Sequence, residues 1–205
     1  MLVKNSKPMA AISYDTQTYS QLQQFIDTEE GQEIVRIDPN DFLANPSHDY
    51  QYINLVVKDF DQRKQISALL DQLGLDRFTY VDRSHQSILA IRPGEKFKIG
   101  LGCFLYPSVF GYSGSIGKDV LVNAMTRLAE NVTVGDGCFI SGSVTAAGSC
   151  KIGNWCFIGN NVFLIDNVEL VDNVRLLPGM GIRKSIKTPG TYYNPNIFKI
   201  ESVVL

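Results

Sequence analysis

Apolar residues recur at every sixth position along one stretch: Ile116, Val122, Leu128, Val134, Ile140, Ala146, Ile152, Ile158, Leu164, Leu170, Leu176 and Ile182. Four residues after each comes a second series: Val120, Thr126, Val132, Cys138, Val144, Cys150, Cys156, Val162, Val168, Val174 and Met180. Its members are mostly small or β-branched. Neither the 3.6-residue period of a helix nor the 2-residue period of a strand repeats every six. The pattern predicts hexapeptide repeats, each making one short strand and a turn, with three repeats closing a triangular coil. The first residue of each hexad points inward and stacks on its equivalent in the next coil, about 4.8 Å away. One coil cannot bury its own apolar residues, so stacking makes the core. Gly117, Gly135, Gly153 and Gly159 follow inward residues where the chain must turn tightly.

Upstream the pattern changes. Only Gly31 and Gly74 of the 17 glycines precede residue 94. Met9–Tyr14, Glu33–Ile37 and Tyr52–Lys58 read as strands, the last apolar enough for a buried parallel strand. Thr18–Glu29 and Asp61–Leu73 carry helical spacing, with Ile66, Leu69, Leu70 and Leu73 on one face of the second. Arg77–Val81 reads as the last strand of a small open sheet. We therefore expect a mixed architecture: a small Rossmann-like α/β domain over 1–87, a β-helix over 88–185, and a tail over 186–205 that folds back on the β-helix or a neighbour. Between the domains the register slips: Leu105 to Ile116 is one short of two hexads. Phe104, Tyr106, Phe110 and Tyr112 gather there and are expected to plug the open end of the core.

The charge of −2 argues against a nucleic-acid partner. No apolar run is long enough for a membrane span, and the N-terminus does not read as a signal peptide, so a cytoplasmic location is expected. Cys103, Cys138, Cys150 and Cys156 include no CxxC pair and no Cys/His cluster, so no metal is expected. They read as buried thiols, with Cys138 and Cys156 stacked one coil apart. A phosphate site after the first strand would need glycines, and Asp15-Thr16-Gln17-Thr18-Tyr19 has none. His48, in a polar loop, reads as a surface residue.

Several stretches carry a resemblance: Lys98–Gly102 (KIGLG), Ser115–Asn123 (SIGKDVLVN), Ala147–Phe157 (AGSCKIGNWCF), Ile158–Val162 (IGNNV), Leu176–Gly179 (LLPG) and Pro189–Pro195 (PGTYYNP). With the α/β segment before them, they resemble the hexapeptide-repeat sugar acyltransferases of the sialic acid O-acetyltransferase and bacillosamine N-acetyltransferase type. The resemblance implies a left-handed β-helix and a homotrimer. It also implies acetyl-CoA as co-substrate, held between neighbouring β-helices, and an amine or hydroxyl of a nucleotide-linked sugar as acceptor, in surface-glycan biosynthesis. It places Ala147, Gly148, Gly159, Asn160, Pro178 and Gly179 along the coenzyme groove, with Arg183, Lys184 and Lys187 either near its phosphates or ordinary surface charge.

The chain departs from that family at the general base. Its matching run is Arg127–Gly135 (RLAENVTVG), where Glu130 stands in the histidine's place and Asn131 replaces the acid that would orient it. An earlier family histidine falls on Asp82, with His85 nearby. The catalytic candidates are thus Glu130, Asn131 and His85. The competing readings are a solvated turn for Glu130, a trimer that binds a sugar nucleotide or protein without acyl transfer, and a purely structural module.

Overall fold

The computed structural model describes residues 7–14, 20, 22–23, 34–57, 59–81, 88–89, 97–106 and 109–193. The sixfold pattern folds into a parallel β-helix whose strands stack in three sheets of seven, six and five strands. The regular coil repeats every 18 residues, as in the bond from Lys118 N to Asp136 Oδ1. Both apolar series point inward: Ile116, Val122, Leu128, Val134, Ile140, Ala146, Ile152, Ile158, Leu164 and Leu170 share one core with Val120, Val132, Cys138, Val144 and Cys150. The residue three after each inward position turns the corner in the left-handed region, from Asp119 through Met125, Asn131, Gly137 and on to Asn173 and Gly179. Asparagine fills four of these sites, at 131, 161, 167 and 173, because its side chain tolerates that conformation.

The slipped register is a shortened coil. Leu121 lies opposite Phe104, and Ile116 opposite Ile99, both one residue short of the regular repeat. The shortening falls between Gly111, which takes an inward-series position opposite Leu128, and Ile116. Gly114 fits there because a Cβ would meet the Val132 carbonyl oxygen at 1.9 Å.

The α/β unit has three short parallel strands, β1 (Met9–Ile12), β2 (Ile34–Ile37) and β3 (Gln51–Asn54), in the order β2-β1-β3. Helices α1 (Pro39–Ala44) and α2 (Phe60–Gln72) are capped by Asp38 and Asp59. Of the helix expected over Thr18–Glu29, only Ser20, Leu22 and Gln23 are described, all helical. Strand β1 is apolar throughout because both of its faces are covered. Ala10 and Ile12 join Phe42, Tyr52, Ile66 and Leu70 beneath the helices. Met9 and Ala11 join Leu22, Ile34, Ile53, Phe78, Phe104 and Leu121 against the β-helix.

Three expectations are corrected by this arrangement. Arg77–Val81 divides: Arg77 bridges to Tyr52, while Tyr80–Val81 already pairs with Phe104–Leu105 in the β-helix ladder, ahead of the expected 87/88 boundary. Phe104 does not plug the end of the core. Neighbouring residues of a strand point to opposite faces, so Leu105 enters the β-helix core and Phe104 enters the α/β core. The segment after 185 does not leave the coil at once, because Ile186 bridges to Leu170 and Gly190–Tyr192 pairs with Val174–Leu176. Residues 194–205 lie outside the described chain.

Helix α2 docks the α/β unit through a polar stripe that its apolar periodicity conceals. Arg63, Ser67 and Asp71 are spaced four apart on one face. Arg63 is completely buried and donates to the carbonyls of Asn54 (2.8 Å), Val56 (3.0 Å), Asp119 and Gly137. Ser67 Oγ donates to Asp119 Oδ2, and Arg77 Nε pairs with Asp119 Oδ1 at 2.9 Å. Lys118 reaches Asp71 at the end of the stripe. Burial pulls the Arg63 guanidinium down to about 10, against the attraction of Asp119. It therefore stays charged at neutral pH. Removing the charge of a buried partner costs about 3–5 kcal/mol because the remaining charge is left uncompensated. Asp119→Asn spares the left-handed backbone at φ 54 and is expected to lose stability on that scale in denaturant unfolding. An unchanged unfolding midpoint would show that the stripe does not hold the two units together.

Candidate functional site

The three faces of the β-helix are covered differently. The first carries Phe104, Leu121, Phe139, Phe157 and Arg175 and receives the α/β unit. A second displays Lys151, Glu169 and Lys187 as a cross-strand charge ladder, with contacts of 2.8 and 2.7 Å. The third, with strands Arg127–Leu128, Thr145–Ala146, Phe163–Leu164 and Gly181–Ile182, has no covering element among the described residues. Phe163 on this open face is 44% exposed, and Met125 at its border is 64% exposed.

The expected site residues fall on the two edges that border the open face. Gly159, Asn160, Pro178 and Gly179 occupy the edge where each coil enters it, and Glu130, Asn131, Ala147 and Gly148 the edge where each coil leaves it. A single chain therefore keeps the two sets apart, on opposite borders of one face. Arg183 and Lys184 are exposed on the leaving edge, while Lys187 is committed to Glu169. His85 and Asp82 lie outside the described residues. His48 is exposed, as its loop suggests.

A rung of side chains shapes these edges. Two residues after an inward position, Asp or Asn accepts the backbone N–H one coil earlier: Asp136 from Lys118, Asn154 from Asp136, Asp172 from Asn154, Asn160 from Gly142 and Asp166 from Gly148, at 2.7–2.9 Å. Glu130 stands at a rung position too, but its coil follows the shortened one. The neighbouring contact there is made instead by Ser113, whose Oγ accepts the Asn131 N–H at 2.9 Å. The Glu130 carboxylate is left exposed and has no hydrogen-bond donor among the described residues. It lies above Gly148, where a Cβ would sit 3.8 Å from Glu130 Oε2. Asn131 has a structural reason for its identity, the left-handed turn at φ 58. So does Gly159, where a Cβ would meet Pro178 N at 2.6 Å.

Three residues before Glu130, Arg127 reaches Tyr112 of the shortened coil, one of the aromatics expected at the join. Arg127 Nη2 donates to Tyr112 Oη at 2.8 Å, with its guanidinium 5.1 Å from the ring centroid. The cysteines are all free and buried, and burial pushes the Cys103 thiol up to about 12. The Cys156 N–H approaches Cys138 Sγ at 3.4 Å, so that stack forms as expected. No cluster of metal-ligating side chains occurs among the described residues. No described helix is long and apolar enough to cross a membrane.

No protein-family model and no curated protein sequence matches the chain. Solved structures do. The acetyltransferase domain of PglB from Neisseria gonorrhoeae FA1090 aligns with a TM-score of 0.66 at 18% identity, covering 91% of this chain and 96% of that one. The fold is that of the β-helix acetyltransferases. The same domain in complex with acetyl coenzyme A aligns at 0.57 and 16% identity, covering 87% and 93% of the two chains. A histidine-to-asparagine mutant of perosamine N-acetyltransferase from Caulobacter crescentus, in complex with CoA and GDP-perosamine, aligns at 0.51 and 12% identity, covering 92% and 95%. The hexapeptide coil is a left-handed β-helix, as the resemblance implied.

The charge ladder makes one pH dependence explicit. Hydrogen bonds from Lys151 and then Lys187 hold the Glu169 carboxyl down to about 2, below an ordinary value of 4.5. A depressed carboxyl stabilises the fold above its unfolded value, and the contribution fades as pH falls from about 4.5 towards 2. A carbon-detected NMR titration is expected to find the Glu169 midpoint near 2 and to see it rise in Lys151→Ala. A wild-type midpoint near 4.5 would mean that the ladder is not formed in solution.

Proposed function

We propose that this chain is an acetyl-CoA-dependent acyltransferase that modifies an amine or hydroxyl of a nucleotide-linked sugar and works as a homotrimer. The observation that carries the reading is the split of the expected groove residues between the two borders of one uncovered face. A second copy laid against that face would bring an entering edge and a leaving edge together, with Phe163 and Met125 as apolar contacts. The likeness to β-helix acetyltransferases, one bound to acetyl coenzyme A and another to CoA and GDP-perosamine, supports the choice of donor and acceptor class.

In this reading the acceptor nitrogen or oxygen attacks the thioester carbonyl carbon. Glu130 takes the acceptor's proton, the C–S bond breaks, and Glu130 hands that proton to the leaving sulfur, so coenzyme A departs as the thiol. A positioned base contributes about 10²–10⁴-fold, and a carboxylate is a weaker base than imidazole, so the lower end applies. Ala147, Gly148, Gly159 and Gly179 supply backbone against the pantetheine arm, and Asn160 and Pro178 flank it.

One observation favours a second reading, a trimer that binds a sugar nucleotide without turning it over. The Gly148 N–H, a candidate donor to the thioester oxygen, is already taken by Asp166 Oδ1 at 2.9 Å. Glu130 also has no described donor to orient it.

Glu130→Gln keeps the shape of the edge and removes the base. Turnover of acetyl-CoA with nucleotide-linked amino sugars is expected to fall at least tenfold, with acetyl-CoA affinity unchanged. Equal turnover in the variant would remove Glu130 from the mechanism. Acetyl-CoA binding without transfer to any such sugar would establish the second reading.

A further inference from the structure

Arg175 is the one arginine of the covered face whose role the fold does not use up. It lies on the strand Val174–Leu176, which runs directly into the Leu177-Pro178-Gly179 corner of the entering edge. Its guanidinium packs against an edge-to-face pair of rings, 4.8 Å from the Phe60 centroid and 5.7 Å from that of Phe157. Its Nε is buried with no hydrogen-bond partner, and no ion pair to its guanidinium is found among the described residues. This contrasts with Arg63 and Arg77, whose Nε groups both donate across the join, to the Gly137 carbonyl and to Asp119.

A buried donor left unsatisfied is costly, and completion by a bound ligand or ion is one reason a native protein keeps one. The planar fork of a guanidinium suits two parallel N–H···O bonds to one anion. Phe60 is the first residue of α2, so Arg175 lies between the first turn of that helix and the Pro178–Gly179 corner.

We propose that Arg175 is a phosphoryl-binding residue, taking an oxyanion of a diphosphate that lies between the first turn of α2 and the entering edge. The diphosphate can come from the coenzyme or from a nucleotide-linked acceptor. The proposal deepens the acyltransferase reading by assigning an anion contact, but it is read by binding and not by turnover.

The test is calorimetric titration of the full chain with inorganic pyrophosphate, acetyl-CoA and GDP, for wild type, Arg175→Gln and Arg175→Lys. Pyrophosphate is expected to bind wild type and to weaken at least tenfold in Arg175→Gln, with a smaller loss in Arg175→Lys. A matching loss for acetyl-CoA alone assigns the coenzyme as the source, and for GDP alone the acceptor. Circular dichroism melts identify a variant that fails to fold, in which case Arg175→Lys, which keeps the stem and the charge, decides by the same pyrophosphate comparison. Pyrophosphate affinity unchanged in the folded variant, or absent in wild type, overturns the proposal. Arg175-dependent binding without any acetyl transfer would leave this inference standing and sink the acyltransferase reading.

Discussion

The fixed placement of the α/β unit depends on one buried cation. Arg63 has no water to solvate it, so its donors must be met by carbonyls from both units at once: Asn54 and Val56 on one side, Asp119 and Gly137 on the other. A polar group of this kind is satisfied in one docking geometry and penalised in every other, which makes it a device for orientation more than for affinity. Apolar contact alone, between Met9, Phe78 and Leu121, would tolerate sliding. Asp119 completes the device because its left-handed corner turns its carboxylate into the join, where Ser67 and Arg77 meet it.

Much of this architecture is legible in the residues, and the failures are instructive. The sixfold apolar register identifies the β-helix because inward positions have no alternative use. The eleven-residue step from Leu105 to Ile116 marks a real shortened coil. What periodicity misses is direction at the join. Phe104 reads as core, and it is core, but of the other unit. The stripe Arg63, Ser67, Asp71 has the look of a solvated helix face, because four-residue spacing of polar groups says nothing about what lies opposite. The candidate site is legible only as separate short stretches along the chain. That they lie on opposite borders of one face depends on the folding of whole coils, and the loss of a rung at Glu130 depends on the register one coil earlier.

The three faces divide the work of the solenoid. One is committed to the α/β unit, one is made self-sufficient by Lys151, Glu169 and Lys187, and one keeps apolar side chains outward. The candidate chemistry borders the third, whose edges carry both rung residues such as Asn160 and a carboxylate, Glu130, that no rung uses. Glu130, Arg127 and Tyr112 occur together where the ladder of Asp and Asn is interrupted.

The coil-on-coil ladder also sets an order of events during synthesis. Each coil can stack as soon as its predecessor exists, since its bonds span 18 residues. The α/β unit emerges first but finds its docking surface late. Lys64 waits for Asn173, a separation of 109 residues, and Phe60 waits for Phe157. Until Phe104, Asp119, Leu121 and Gly137 have been made, the apolar side of β1 and the charged end of Arg63 face water. A growing chain thus carries an N-terminal unit that docks in stages as the first coils are made, and the nascent protein is most exposed to wrong partners before those coils exist.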